Sequence, residues 1–253
     1  MLVDFLTGEI QGFLLIFVRV GAAFTVMPAF GEPFVPMRMR LTVALFVTLA
    51  LTPMLAAGLP PPPESALGLL VLIAGESFIG FFLGIIARSI MSALQTAGMA
   101  IAMMIGLANA LTQDTTAVQQ GSILGALLTM LGLLVVMALN LHHLMLAALA
   151  DSYEVFVPGQ APIVEDVALM VARVVSSSFA LGIQLAAPFI GLAVVFYVGL
   201  GLINRLMSSM QIFFIAIPMQ IVIGLGIMSF ALPVMLRWFA AAFEEHLMMF
   251  LGS

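Results

Sequence analysis

SIMSALQTAGMAIAMMIGLANALTQDTTAVQQGSILGALLTMLGLLVVMALNLHHLMLAALA, Ser89 to Ala150, contains one formally charged residue, Asp114. A helix needs about 20 predominantly apolar residues to cross a hydrocarbon core, and each side of Asp114 supplies at least that many. Ser89–Gln113 and Thr115–Ala150 lack all four charged residue types, as do Leu41–Pro63, Val174–Asn204 and Leu206–Leu236. Ile10–Phe30 and Ala66–Ala87 carry one charge each, Arg19 and Glu76. The fold class that follows is all-α, an integral membrane-type protein of six to seven long hydrophobic helices. Pro188, Pro218 and Pro233 fall inside apolar runs and are expected to kink or break them.

Composition excludes the common alternative. With 64% hydrophobic and only 8% charged residues and a mean hydropathy of +1.27, the chain cannot cover itself with a water-facing surface. A net charge of −5 and a pI near 5.0 argue against a nucleic-acid partner, which needs clustered basic residues to displace counterions. The absence of cysteine removes disulfides, thiolate metal sites and thiol nucleophiles. Asp4 and Glu9 precede the first basic residue, Arg19, so the leading apolar segment lacks the basic start of a secretory signal and is expected to stay in the mature fold.

Pro28, Pro33 and Pro36 close the first segment, and Pro60–Pro63 form a stiff break before another. Asp151–Asp166, with four acids, two prolines and no base, suits an exposed connecting loop. Placing Arg38, Arg40 and Arg88 on one side of a membrane puts Glu64 on the other. Two full crossings after Arg88 would return the acidic loop to the arginine side, and the parity fails. Either the charges are too sparse to orient the chain, or residues 89–122 do not cross in the ordinary way.

The segment at issue is NALTQDTTAVQQGS, Asn109 to Ser122, in which nine of fourteen residues are polar. Lipid would not tolerate that density of amides and hydroxyls, and non-helical backbone at membrane depth survives only in a watery cavity or buried in protein. A pore or re-entrant loop and an ordinary connecting loop both fit this composition. Met99, Met103 and Met104 precede it at helical spacing, and flexible methionines can seal a variable surface or simply fill a core.

Glu76 in an apolar helix would cost on the order of 2.5–3.5 kcal/mol near a bilayer centre if unpaired, so it needs a partner or water. The intramembrane charges Arg19, Glu76 and Arg173 therefore fit either a conduction path or a buried pair. His142 and His143, as neighbours on a helix, should point in different directions and are poorly placed as joint metal ligands, while His246 beside Glu244 and Glu245 suits a solvated terminal face. Gly80 with Gly84, and Gly121 with Gly125, have the spacing that lets helices approach closely. No metalloprotease, intramembrane protease or phosphate-loop motif is present and there is no lysine for a Schiff base, so neither catalysis nor a cofactor is expected.

Four stretches carry a family resemblance: PAFGEPFVPMRMRLTVAL (Pro28–Leu45), GESFIGFFLGIIAR (Gly75–Arg88), GLANALTQDTTAVQQGS (Gly106–Ser122) and MQIFFIAIPMQIVIGLGI (Met210–Ile227). Together they resemble the FliR family of flagellar type III export-gate proteins, over nearly the whole chain. The resemblance implies a non-enzymatic, multi-pass subunit of the bacterial inner membrane and flagellar basal body, its helices packed in hairpins within a hetero-oligomeric gate. FliP and FliQ homologues would be its direct partners, FlhB and FlhA its neighbours, membrane lipid its surroundings, and unfolded flagellar proteins its cargo. It further implies a FliP-like part over 1–150, the acidic connection 151–166 and a FliQ-like hairpin over 167–253. Loop 106–122 would plug the channel, making Asn109, Gln113, Asp114, Gln119 and Gln120 plug candidates. The family's methionine gasket belongs chiefly to FliP, so a sealing role for Met99, Met103 and Met104 is a separate hypothesis. The MQIFFIAIPMQIVIGLG stretch favours the flagellar branch over the related virulence injectisomes. A stand-alone small-solute transporter is the competing reading from another class, although the internal repeats usual in transporters are not evident.

Overall fold

Apolar sequence with few stop signals makes long helices, and the computed structural model shows seven, with no strand among the described residues. Those residues are 2–55, 58–63, 65–107, 122–160, 164–206 and 212–248. The helices are α1 Leu2–Val26, α2 Met37–Leu55, α3 Ala66–Met104, α4 Ile123–Ala138, α5 Leu141–Val155, α6 Val164–Leu206 and α7 Ile212–Met248. By length and composition α2, α3, α6 and α7 are candidate membrane spans, and α4 with α5, bent by 74°, forms a fifth candidate if the pair is one span.

Two sequence expectations about where helices stop are corrected. Arg88 had been taken as marking a loop, yet α3 runs through it for 39 residues, because nothing around IIARSIMSALQ caps or breaks a helix. Two intervals read as separate crossings are thus one helix of about 58 Å at 1.5 Å per residue. Conversely the single run Thr115–Ala150 is broken at Asn140, whose φ of 59° and ψ of 21° are left-handed. Asparagine reaches that region more readily than other residues with a side chain. Pro188, Pro218 and Pro233 end nothing: helical backbone continues through each. The acidic stretch Asp151–Asp166 is irregular only in its middle, since α5 extends to Val155 and α6 begins at Val164.

The chain divides into two units, each assembled from separate stretches of sequence: 1–90 with 136–176 and 242–253, and 91–135 with 177–241. In the first, Leu15, Ile16, Val20, Ala23 and Phe24 of α1 are buried together with Ile79, Phe82, Leu83, Ile86 and Ala87 of α3. The approach of α1 to α3 requires glycine. A Cβ on Gly80 would overlap the carbonyl of Arg19, and one on Gly84 would lie 2.9 Å from the carbonyl of Ala23. The expected small-residue contact is therefore real at this pair. The turn after α1 is held by arginine: Arg40 donates to the carbonyls of Phe30 (3.0 Å) and Glu32 (3.3 Å), and Arg88 pairs with the Glu32 carboxylate at 2.5 Å.

In the second unit the closest backbone approach joins α3 to α4. Gly125 has its contact here, and its counterpart is Gly98: a Cβ on Gly98 would fall on the Gly125 backbone. Gly121 lies outside the described residues. We expect Gly98→Val to lower stability by about 3 kcal/mol, because backbone cannot step aside as a side chain can. Gly191→Ala, at a site with nothing within 4 Å, should leave stability unchanged or raise it slightly. Thermal unfolding of the detergent-solubilised chain measures both.

Candidate functional site

Three helices of the first unit bring charge into a dry interior. Arg19 of α1 is 0% exposed and Glu76 of α3 is 2% exposed. Arg19 Nε donates to Glu76 Oε2 at 2.5 Å and Nη2 to Oε1 at 3.1 Å, a two-pronged pairing that suits the flat guanidinium. Nη1 donates to the carbonyl (3.2 Å) and hydroxyl (3.1 Å) of Ser152, and Nη2 also to the carbonyl of Phe156 (3.0 Å). All five guanidinium N–H donors are thereby used. The Tyr153 ring closes one face, its centroid 3.8 Å from the guanidinium carbon.

Of the two readings open for these charges, this geometry has the character of a structural pair. A conducting site needs a group that water or substrate can reach, and here every donor is engaged by protein. Arg173 does not join the cluster and is exposed on α6. The histidine expectation is corrected in one respect, since the rings of His142 and His143 lie with centroids 4.1 Å apart. Among the described residues no group of three or more histidines, cysteines or carboxylates could hold a metal.

A second constellation frames the polar segment. Its plug candidates Asn109, Gln113, Asp114, Gln119 and Gln120 lie outside the described residues, but the chain on either side is well defined. Before it, α3 ends at Met104 and the chain turns at Gly106 with φ 78°, a left-handed conformation that glycine takes without penalty. Gln220 of α7, 3% exposed, donates from Nε2 to the Met104 carbonyl and, at 3.4 Å, to the Tyr197 hydroxyl. After it, the Ser122 hydroxyl accepts from the amide of Gly125 (3.2 Å), capping α4, and donates to the carbonyl of Gly98 (3.2 Å). Met99 and Met103 stand on an open face of α3, 41% and 63% exposed, while Met104 is partly buried.

Reading charges alone missed Gln220, Ser152 and Tyr153. A search for neutral polar residues inside apolar helices would have found Gln220, since a buried amide in hydrocarbon-like surroundings is as demanding of a partner as a charge is of a countercharge.

The chain matches the family described as bacterial export proteins, family 1, over residues 10–246. It is 38% identical over 218 residues to flagellar biosynthetic protein FliR of Caulobacter vibrioides, covering 86% of this chain and 87% of that one. The protein of the same name from Escherichia coli strain K12 is 30% identical over 230 residues, 91% of this chain and 85% of its own. That of Bacillus subtilis is 28% identical over 215 residues, with 84% and 82% covered.

Removing one member of a buried pair strands the other, a loss of about 3–5 kcal/mol. Arg19→Met should therefore cut accumulation in the membrane and the unfolding temperature sharply. The double change Arg19→Met with Glu76→Met should be milder than the arginine change alone, as read by the same two measurements.

Proposed function

The chain belongs to the bacterial export proteins of family 1 and, within them, to the FliR family of flagellar biosynthetic proteins, and on that footing we propose that it is a non-enzymatic subunit of the type III export gate. It is a membrane-embedded flagellar export protein; the proposal gives it a place in the bacterial inner membrane, where it forms part of the path for unfolded flagellar subunits. The observation that carries this reading is the relationship to FliR over almost the full length of both chains. The closed environment of Arg19 and Glu76 supports it too, since it leaves no accessible intramembrane charge at that site for a solute transporter to use.

In this reading FliP and FliQ homologues pack against the chain, with FlhB and FlhA homologues beside the assembly. Residues 1–150 take the FliP-like role and 167–253 the FliQ-like role, joined through 151–166. Helices too long for one bilayer crossing support such packing. At 1.5 Å per residue α6, with 43 residues, reaches about 65 Å, twice the roughly 30 Å of a hydrocarbon core. Exposed apolar residues such as Leu67, Val195, Val222 and Phe230 then meet partner subunits as well as lipid.

Residues 106–122 are proposed as the channel plug, with Asn109, Gln113, Asp114, Gln119 and Gln120 as its polar residues and Met99, Met103 and Met104 as sealing methionines. Amide and hydroxyl side chains can close a watery passage without binding cargo tightly. The open face carrying Met99 and Met103 supports the sealing role, because flexible thioethers conform to whatever lies against them.

Native mass spectrometry of the particle purified after expression with FliP and FliQ homologues is expected to give one discrete mixed complex containing this chain. A monomer or homo-oligomer indifferent to those partners would refute the assignment. Deleting residues 109–120, which spares the Ser122 cap, should leave that complex intact and make it permeable to ions. Unchanged permeability in the intact complex would remove the plug role while leaving the subunit assignment standing.

A further inference from the structure

A helix end is a loose thing unless its carbonyls are answered. Of the last carbonyls of α3, that of Ile101 accepts from the amide of Ile105 (2.9 Å) and that of Met103 from the amide of Gly106 (3.2 Å). The carbonyl of Met104 is answered from another helix, by the side chain of Gln220. Ile217, Gln220 and Gly224 lie on one face of α7 by their spacing, and all three meet the same short stretch of chain. A Cβ on Gly224 would overlap the Ile105 side chain, so Ile105 occupies the notch that the glycine leaves. Around Gly106, Gln220 Oε1 and Ile217 Cγ2 come within 3.7 and 4.0 Å of where a Cβ would stand.

Apolar contact is non-directional and would let the end of α3 slide along α7. A hydrogen bond between amide and carbonyl defines both a distance and an angle. An amide inside an apolar helix is costly unless bonded, so Gln220 sits comfortably only while the Met104 carbonyl stays where it is. Whatever follows Gly106 in the chain, and the exposed Met99 and Met103 on the last turns of α3, inherit that fixed position.

We propose that the Ile217–Gln220–Gly224 face of α7 is the seat that sets where the polar segment begins, and that Gln220 is a positioning residue keeping the export path closed between substrates. The inference rests on the plug reading of residues 106–122 and deepens it by assigning its anchor to the C-terminal helix.

The test uses the complex purified with its partner subunits and reconstituted in planar bilayers, with ion conductance as the readout. Gln220→Met keeps the length and apolar bulk of the side chain and removes the donors. It is expected to raise conductance roughly fivefold, the size of effect that losing one hydrogen bond has on a two-state balance. Composition of the complex should stay the same. Tyr197→Phe, which spares the bond to Met104, should conduct as the unaltered complex does. In a background lacking residues 109–120, Gln220→Met should add nothing, because the element it positions is gone. If the deletion leaks and Gln220→Met does not, the positioning role is overturned and the plug stands. If the deletion itself does not leak, the plug reading fails and this inference with it. An extra leak from Gln220→Met on top of the deletion overturns it, since the residue then acts elsewhere. Where Gln220→Met does not assemble, Gly224→Ala takes its place with the same expected leak, and failure of both to assemble reduces the seat to a folding element and overturns the proposal.

Discussion

A guanidinium withdrawn from water must find a partner for each N–H, and the first unit is arranged around one that does. Arg19 reaches Glu76 on α3, Ser152 on α5 and the chain just beyond it at Phe156, with Tyr153 over its face. These bonds demand that the three backbones come close, and Gly80 supplies the necessary room directly beside the Arg19 carbonyl. Hydrophobic packing would hold α1, α3 and α5 together in many registers. The buried ion pair admits few, because a one-residue rotation of α1 would turn the arginine away by about 100° and strand Glu76. Specificity of register is the natural role for a charge in so apolar a setting.

Much of this was legible in the sequence, and the illegible part has a common cause. The need of Glu76 for a partner followed from electrostatics alone, whereas the identity of that partner did not, because Arg19 is 57 residues away and nothing local selects it over Arg173. The close approach at Gly80 and Gly84 was readable from spacing. That at Gly125 was readable only in part, since its counterpart Gly98 is on a different helix and shares no pattern with it. Helix number came out correctly while two boundaries did not. Arg88 was weighted as loop-forming although one charged residue does not stop a helix, and Asn140 was passed over although its side chain tolerates the left-handed turn that breaks one.

The polar segment shows the same division. Its composition marked it as foreign to lipid, and the family relationship gives that oddity a context. The residues that hold its two ends were silent in a search for charges: Ser122 serves through a hydroxyl, Gly98 through a carbonyl and Gln220 through an amide. Neutral hydrogen bonds in apolar surroundings are as demanding as charges and much less conspicuous.

The lengths of α3, α6 and α7 bear on the life of the chain before assembly. A newly made copy has more apolar helix than a bilayer can cover, so whatever extends past the hydrocarbon is exposed to water until other protein shields it. Such an orphan is a natural client for chaperones and membrane proteases. Cells that make the chain in excess of its companions should therefore hold little of the surplus, and the amount of finished apparatus would be governed by the timing of synthesis more than by the affinity of any one contact.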